Sequence, residues 1–520
     1  MTALSGSWAA WRIGLNADVG YFLAFADVLL RPAGGPIYDI NIPTNLVFPL
    51  VARLVDGPGG LYPADILQII LYLFVLFCSA VTFALFRNIP AGRHFVLVAA
   101  AFVIPFALIV LPRWHFGQRE HLFVAAVAPL LVVLWLRHAF GFRPSRLLSI
   151  GIAVLAALAA FQKPHFIIVA GGIGLVHLLL LRGRLLAVSR EIWLVGGLLA
   201  TGLMIHFAVD SHYYLRLVPD LSVVYGELYI SRSNVSGRLL SNGHIVSWLS
   251  VFTFLALGHL VRAPGTEGVR LDIMLAWLAV IFLFAGLLIL QLGLHYHRLP
   301  YDIAVFVSAG LAAGWAVDRI STRLLHGKPG TTAALAAATG VLLATTIPAA
   351  IVLKPDAVAE NVRQARLASP VTWTFQQLEP GTSVYALTTS LVLYSPYFAY
   401  SEVQWTGRIN DFFHFKAIVE GRRAAADGGP APDPAVRRAE DDLRSFVLAS
   451  LSGPVPDLVL VDRRVPMTWL EDFPEPFSLT DFYLEDPAFA ANWANYRSVG
   501  WTALEPGGRL DIEIFRREVR

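Results

Sequence analysis

Ten stretches of this chain are apolar enough, and long enough or nearly so, to cross a lipid bilayer. A helix needs about 20 mostly apolar residues to span the hydrocarbon core. The runs 64–86, 94–111, 119–136, 147–162, 165–181, 192–209, 245–261, 271–291, 301–317 and 331–353 qualify or come close. Composition agrees: 56% of the 520 residues are hydrophobic and 15% are charged, where a soluble globular domain carries about 25% charged residues. A disordered chain, a collagen, a coiled coil and a basic nucleic-acid binder are all excluded. The expected fold class is a polytopic α-helical membrane protein with about 10 transmembrane helices in residues 1–353, followed by a soluble α/β domain in residues 354–520.

The charge divides at the same place. Residues 354–520 hold 17 Lys and Arg against 23 Asp and Glu, which leaves 23 against 14 for the rest of the chain from totals of 40 and 37. Orientation follows from the short loops, because cytoplasmic loops collect Lys and Arg. Alternate loops carry Arg87 and Arg93; Arg137, Arg143 and Arg146; Arg182, Arg184 and Arg190; Arg262 and Arg270; and Arg319, Arg323 and Lys328. The intervening short loops carry only Arg113 and Arg119, then Lys163, then Arg298. The Arg-rich side is therefore the expected cytoplasmic side. Residues 1–60, the loop 210–244 and the domain 354–520 are expected to face outward, into the periplasm of a bacterial inner membrane.

Nothing before Asp18 can serve as a signal or a span, since the stretch Met1 to Leu15 is short and contains Arg12. The expectation is a further helix upstream of Met1 and an eleven-span body. Within residues 1–60, the run from Asp18 to Leu30 predicts an amphipathic helix that stops at Arg31-Pro32, and Gly34-Gly35-Pro36 predicts a turn. The short apolar run from Asn45 to Val55 predicts a helix lying along the interface. In the tail, a helix is expected near Asp356–Ala368, strands at Ser383–Leu387 and Leu458–Val461, and helices at Phe412–Ala426 and Ala435–Leu451. The stretch Asp427–Pro434 is read as a surface loop. The tail serves either as a structural lid or in the choice of acceptor. The single Cys78 lies in an apolar run and permits no intrachain disulfide.

The outward loops gather polar residues in dense clusters. Asn16-Ala17-Asp18-Val19-Gly20-Tyr21 opens the first segment, and Ile37-Tyr38-Asp39-Ile40-Asn41-Ile42-Pro43 follows its turn. Arg113-Trp114-His115-Phe116-Gly117-Gln118-Arg119-Glu120-His121, Gln162-Lys163-Pro164-His165 and His295-Tyr296-His297-Arg298 join or cap spans. Each has an ordinary structural reading: an Asp before a helix caps it or complements its dipole, and Arg or His at a span end snorkels to headgroups. The combination is more informative, because these clusters mix acids with cations while the inner loops are nearly pure Arg. Cations hold a phosphate through charge-assisted hydrogen bonds, and a neighbouring carboxylate can take the proton of an acceptor hydroxyl. Arg113, His115, Arg119, Lys163, His165, His295, His297 and Arg298 are the candidate substrate-binding residues, expected to converge on one outward cavity. Asp18, Asp39 and Glu120 are the candidate acids and bases. The same carboxylates can bind a divalent metal, although no ligand spacing demands one.

With these clusters in place, the sequence resembles the GT-C glycosyltransferase superfamily, the polyprenyl-phosphate-sugar-dependent enzymes of bacterial envelopes. The resemblance is carried by the acidic residue opening the first outward loop, by the run from Gly34 through Tyr38-Asp39 to Pro43 with its following interfacial helix, and by the multispan body ending in an outward α/β domain. It implies an inverting transfer of a sugar from a polyprenyl-phosphate donor to a lipid, glycan or protein acceptor, with Asp18 as the base and Glu120 as a second acid. Val19 stands where many relatives carry another acid. Two alternatives share parts of this pattern. A polymerase or ligase of lipid-linked glycans has the same substrate chemistry but commonly keeps its large outward loop between spans. A lipid or sugar transporter tends to place ionisable groups at the bilayer midplane, whereas most charges here lie at span ends. A purely structural membrane protein is the third.

Overall fold

The computed structural model describes residues 17–29, 44–54, 61–89, 94–112, 115–181, 183–209, 211, 213–217, 219–220, 223–224, 299–300, 302–304, 306–307, 310–311, 314, 362–389, 395–407, 414–453, 455–464 and 477–518. These residues fall into two compact units, each assembled from separate stretches of chain. One takes its described residues from Leu71–Met204 and Arg232–Glu360, the other from Gly14–Ile70, Ile205–Ser231 and Asn361–Arg520.

The first unit is helical. Its elements are the larger part of α3 (Pro63–Phe86), α4 (His94–Pro105) running into a π turn at Phe106–Val110, α5 (Arg119–Phe140), α6 (Arg146–Ala160), α7 (Pro164–Leu180) and most of α8 (Arg190–Val209). These match the first six expected spans. Pro63–Phe86, Arg119–His138 and Arg190–Ala208 have the length and apolarity to cross a bilayer, and Val96–Val110, Arg146–Ala160 and Phe166–Leu179 are shorter apolar helices. Of the other four expected spans, 245–261, 271–291 and 331–353 lie outside the described residues, and 301–317 is described in part, as helix.

Packing explains which faces look where. α6 buries a face of small residues, Ser149, Ala153, Ala156, Ala157 and Ala160, and packs it on α5. Small residues let backbones approach where lipid supplies no hydrophobic drive between helices. Its opposite face exposes Leu147, Ile150, Val154 and Leu158. Large apolar side chains so exposed belong against hydrocarbon.

At the far ends of these helices, Arg137 Nη2 donates to Glu191 Oε2 at 2.9 Å and the Ser149 hydroxyl donates to Glu191 Oε1 at 2.6 Å. His138 and His177 share a 2.8 Å hydrogen bond beside them, and the Ser189 N–H donates to His177 Nε2. The expectation that this side is nearly pure Arg is therefore corrected: its Arg137 is partnered by an acid, and two histidines lie in the same cluster.

The second unit is built on a sheet. Its helices from the first segment are α1 (Ala17–Leu29), α2 (Thr44–Leu54) and the start of α3. The tail supplies α9 (Val362–Leu367), α10 (Pro370–Gln376), β1 (Ser383–Leu387), α11 (Ser395–Phe398), β2 (Gln404–Trp405), α12 (His414–Ala426), α13 (Pro434–Ser452), β3 (Leu458–Asp462), α14 (Leu479–Leu484), α15 (Pro487–Trp493), β4 (Tyr496–Thr502) and β5 (Ile512–Arg517). The strand order is β2-β1-β3-β5-β4. β1 pairs in parallel with β2 and β3, while β5 runs antiparallel to both β3 and β4. β3 is buried along its whole length, which is why a continuous apolar run encodes it.

Three contacts bind α1, α2 and the start of α3 to the tail. Asp27 Oδ2 accepts from Arg53 Nη2 at 2.7 Å and from the N–H of Trp405 at 3.1 Å, so one buried carboxylate ties α1 to α2 and to the edge strand β2. Arg363 grips Asp65 through Nε and Nη2, both at 2.9 Å. Gly20 packs so tightly on α11 that a Cβ there would lie 2.8 Å from the Ser395 carbonyl oxygen. Helix α1 is apolar on most of its surface, burying Val19, Leu23, Ala24 and Ala26, rather than amphipathic as expected. Helix α2 keeps an exposed apolar stripe at Val47, Val51 and Leu54, the face an interfacial helix requires.

Glu485, at the end of α14, joins α12 to α13 by accepting from Arg422 at 3.0 Å and Arg444 at 2.7 Å, while both guanidinium groups lie over the Phe482 ring. Burial pushes the Glu485 carboxyl up, but the hydrogen bonds and charges of Arg422 and then Arg444 outweigh it and hold it below its ordinary value of 4.5. A carboxyl depressed by folding stabilises above its unfolded pKa, and that contribution is lost as pH falls through the folded value. Melting of this unit is expected to weaken below about pH 4.5, and less steeply in Glu485→Gln. Fluorimetric melts across that window check it.

Candidate functional site

Lys163 and Glu120 meet where α5 and α7 begin. Lys163 precedes Pro164, and a proline disfavours helical backbone in the residue before it. Lys163 is extended, with φ −150° and ψ 142°. Its ammonium pairs with Glu120 Oε1, and both side chains are buried, with exposures of 8% and 2%. Glu120 stands in the first turn of α5, where the helix dipole favours a carboxylate. Arg119, half-buried one residue earlier, adds its positive charge to the same carboxylate.

The entry to α5 is fixed by a histidine. Gly117 adopts φ 80°, a left-handed conformation that glycine takes without steric cost. The Gly117 N–H donates to His121 Nδ1 at 3.0 Å. That nitrogen is therefore an acceptor, and the ring proton sits on Nε2, which donates to the Leu108 carbonyl in the π turn at 2.6 Å. His121 is fully buried and fastens the start of α5 to α4. His115 is half-buried in the turn before α5 and lies within electrostatic reach of His121.

One turn along, Phe123 of α5 stacks on Phe166 of α7, with centroids 4.4 Å apart and planes at 17°. Phe123 also lines an apolar cavity of about 90 Å³ whose walls include Phe86, Leu108, Val127, Trp135, Ile303 and Val307. The buried ion pair thus stands one helical turn from a slot with hydrocarbon walls.

The remaining expected site residues are placed as follows. Asp18 is the second described residue of α1 and belongs to the sheet-bearing unit. His165 is the second residue of α7. Asp39, Arg113, His295, His297 and Arg298 lie outside the described residues. Among the described residues no group of three His, Cys, Asp or Glu is arranged to hold a metal ion. Sequence reasoning missed the pairing of Glu120 with Lys163, the His121 fastening, and the carboxylates Asp27 and Asp65. Acids embedded in apolar runs are the signal that marks the last two.

No protein-family model matches the sequence, and no curated protein matches it. Among solved structures, the chain is similar to the crystal structure of ArnT from Cupriavidus metallidurans bound to undecaprenyl phosphate, at a TM-score of 0.53 and 16% sequence identity, covering 99% of this chain and 96% of that one. This chain is a polytopic membrane protein with a GT-C-like fold.

Proposed function

We propose that the protein is a glycosyltransferase that moves a sugar from a polyprenyl-phosphate carrier to an envelope acceptor at the outer face of the cytoplasmic membrane. The observation that carries the reading is the buried Lys163–Glu120 pair beside the apolar cavity. A cation paired one helical turn from a hydrocarbon-lined cavity fits an amphiphile with an anionic head. Each methylene buried in such a slot contributes about 0.8 kcal/mol, and the ammonium, with Arg119, meets the phosphate. The solved structure of similar fold holds undecaprenyl phosphate.

In the proposed reaction the acceptor hydroxyl oxygen attacks the anomeric carbon from the face opposite the phosphate. The carbon–oxygen bond to phosphate breaks and its electron pair leaves with the polyprenyl phosphate, whose charge Lys163 and Arg119 stabilise, with Arg113, Lys163's neighbour His165, and His295, His297 and Arg298 as further candidates. The hydroxyl proton passes to Asp18. One displacement inverts the anomeric configuration. The tail, on the periplasmic side in this reading, selects the acceptor.

The test incubates the purified chain in nanodiscs with a panel of undecaprenyl-phosphate monosaccharides and an envelope lipid extract. Release of undecaprenyl phosphate from at least one donor is expected. No release from any donor would sink the reading.

A further inference from the structure

In an open sheet with parallel strands, ligands sit beyond the carboxyl ends of the strands, where successive connections leave in opposite directions. The chain passes from β1 to β2 on one side of it, then crosses to β3 on the other. The gap between the carboxyl ends of β1 and β3 is therefore a topological switch point, and it is polar. The hydroxyl of Thr388, one residue beyond β1, donates to Asp462 Oδ2 at 3.0 Å. Asp462 ends β3, is 1% exposed, and receives Arg464 through Nε and Nη2, both at 3.0 Å. The Arg464 guanidinium is thereby held in a fixed place just past β3.

Further residues beside β5 and on α9 and α11 complete the neighbourhood. Asp511 immediately precedes β5, which runs antiparallel to β3, so it arrives at the same edge, and its carbonyl accepts from the Arg463 N–H at 2.8 Å. Tyr397 lies on α11; burial and the charge of Glu505 raise its pKa, against the charges of Arg366 on α9 and of Arg464. Arg464 and Asp462 act on Asp511 in turn, so Arg464 lies within electrostatic reach of both Tyr397 and Asp511. Of these residues, Arg366 Nη1 and Asp511 Oδ1 are buried and have no hydrogen-bond partner. A buried polar group left so is costly, and such groups commonly mark a place that something else fills. One is a cationic donor and the other a carboxylate acceptor. A ligand that satisfies both carries an anionic oxygen and a hydroxyl on one small frame, which describes a sugar bearing a phosphate or a carboxylate.

We propose that the carboxyl edge of the soluble sheet between β1 and β3 binds an anionic sugar of the acceptor, with Arg366 and Arg464 facing the anion and Asp511 accepting from a sugar hydroxyl. The occupant's role as acceptor rests on the glycosyltransferase reading; its binding does not.

Saturation-transfer NMR on the full chain in nanodiscs, without any lipid donor, tests the site with glucose 6-phosphate, glucuronate and uncharged glucose. Both anionic sugars are expected to bind saturably, at least about tenfold more tightly than glucose, and Arg366→Met is expected to weaken them at least about tenfold. Arg497→Gln, on the exposed face of β4, is expected to change nothing. If Arg366→Met melts early, Tyr397→Phe, which keeps the ring and removes the hydroxyl, carries the same comparison with a several-fold loss. Absence of saturable binding, or binding that the folded variants leave unchanged, overturns the proposal. Binding as expected in a chain that releases no undecaprenyl phosphate from any donor overturns the glycosyltransferase reading and leaves the sugar site standing.

Discussion

Asp18→Asn is expected to express, fold and bind lipid as the wild type does, and to lower sugar transfer by about 100- to 10,000-fold, the usual contribution of a general base. An acceptor hydroxyl is a poor nucleophile until its proton has somewhere to go. Asn keeps the size and hydrogen bonding of Asp and loses only basicity. The competing role for Asp18 is structural: a carboxylate near the start of a helix complements the helix dipole, worth about 0.3–1 kcal/mol. Removing that interaction trims stability slightly and leaves turnover intact, so the two roles separate in one experiment. Near-normal transfer by a folded Asp18→Asn enzyme would move the base to Asp39. Glu120 is the weaker candidate for this work, because it already gives one oxygen to Lys163.

Lys163→Met has the second large effect. It strips a buried carboxylate of its ammonium, and breaking a buried pair by removing one partner costs about 3–5 kcal/mol. Replacing both charges is often nearly neutral, so Glu120→Gln combined with Lys163→Met is expected to recover most of the lost stability. Activity is expected to behave differently. Lys163 binds the donor phosphate in this account, so the double variant melts like the wild type yet fails in transfer and in undecaprenyl phosphate binding. Recovery of transfer along with stability would reduce the pair to a structural pin between α5 and α7.

The membrane helices were legible because burial in lipid demands continuous apolar runs, and α3 to α8 fall where those runs are. β1 and β3 were legible for a related reason: both are buried, and their sequences are nearly all apolar. β4 and β5 were not, since β4 is an edge strand exposing Arg497, Ser498, Val499 and Trp501, and β5 exposes Arg516 and Arg517. Their pattern blends into loop. Individual site residues were legible as types at span ends, but their partners were not. Lys163 and Glu120 stand 43 positions apart, and Asp65 and Arg363 stand 298 apart. Local periodicity says nothing about such pairs, which only helix packing brings together. Asp65, in the first turn of α3, receives a bidentate arginine from the tail.

The central claim is that the protein breaks the bond between sugar and lipid phosphate. Its most direct test follows one labelled undecaprenyl-phosphate sugar in proteoliposomes with acceptor extract, counting free undecaprenyl phosphate and glycosylated product by mass spectrometry and reading the product's anomeric configuration by NMR. The account predicts one undecaprenyl phosphate released for each sugar transferred, with inverted configuration. Intact lipid-linked sugar that changes leaflet without cleavage would identify a transporter and contradict it.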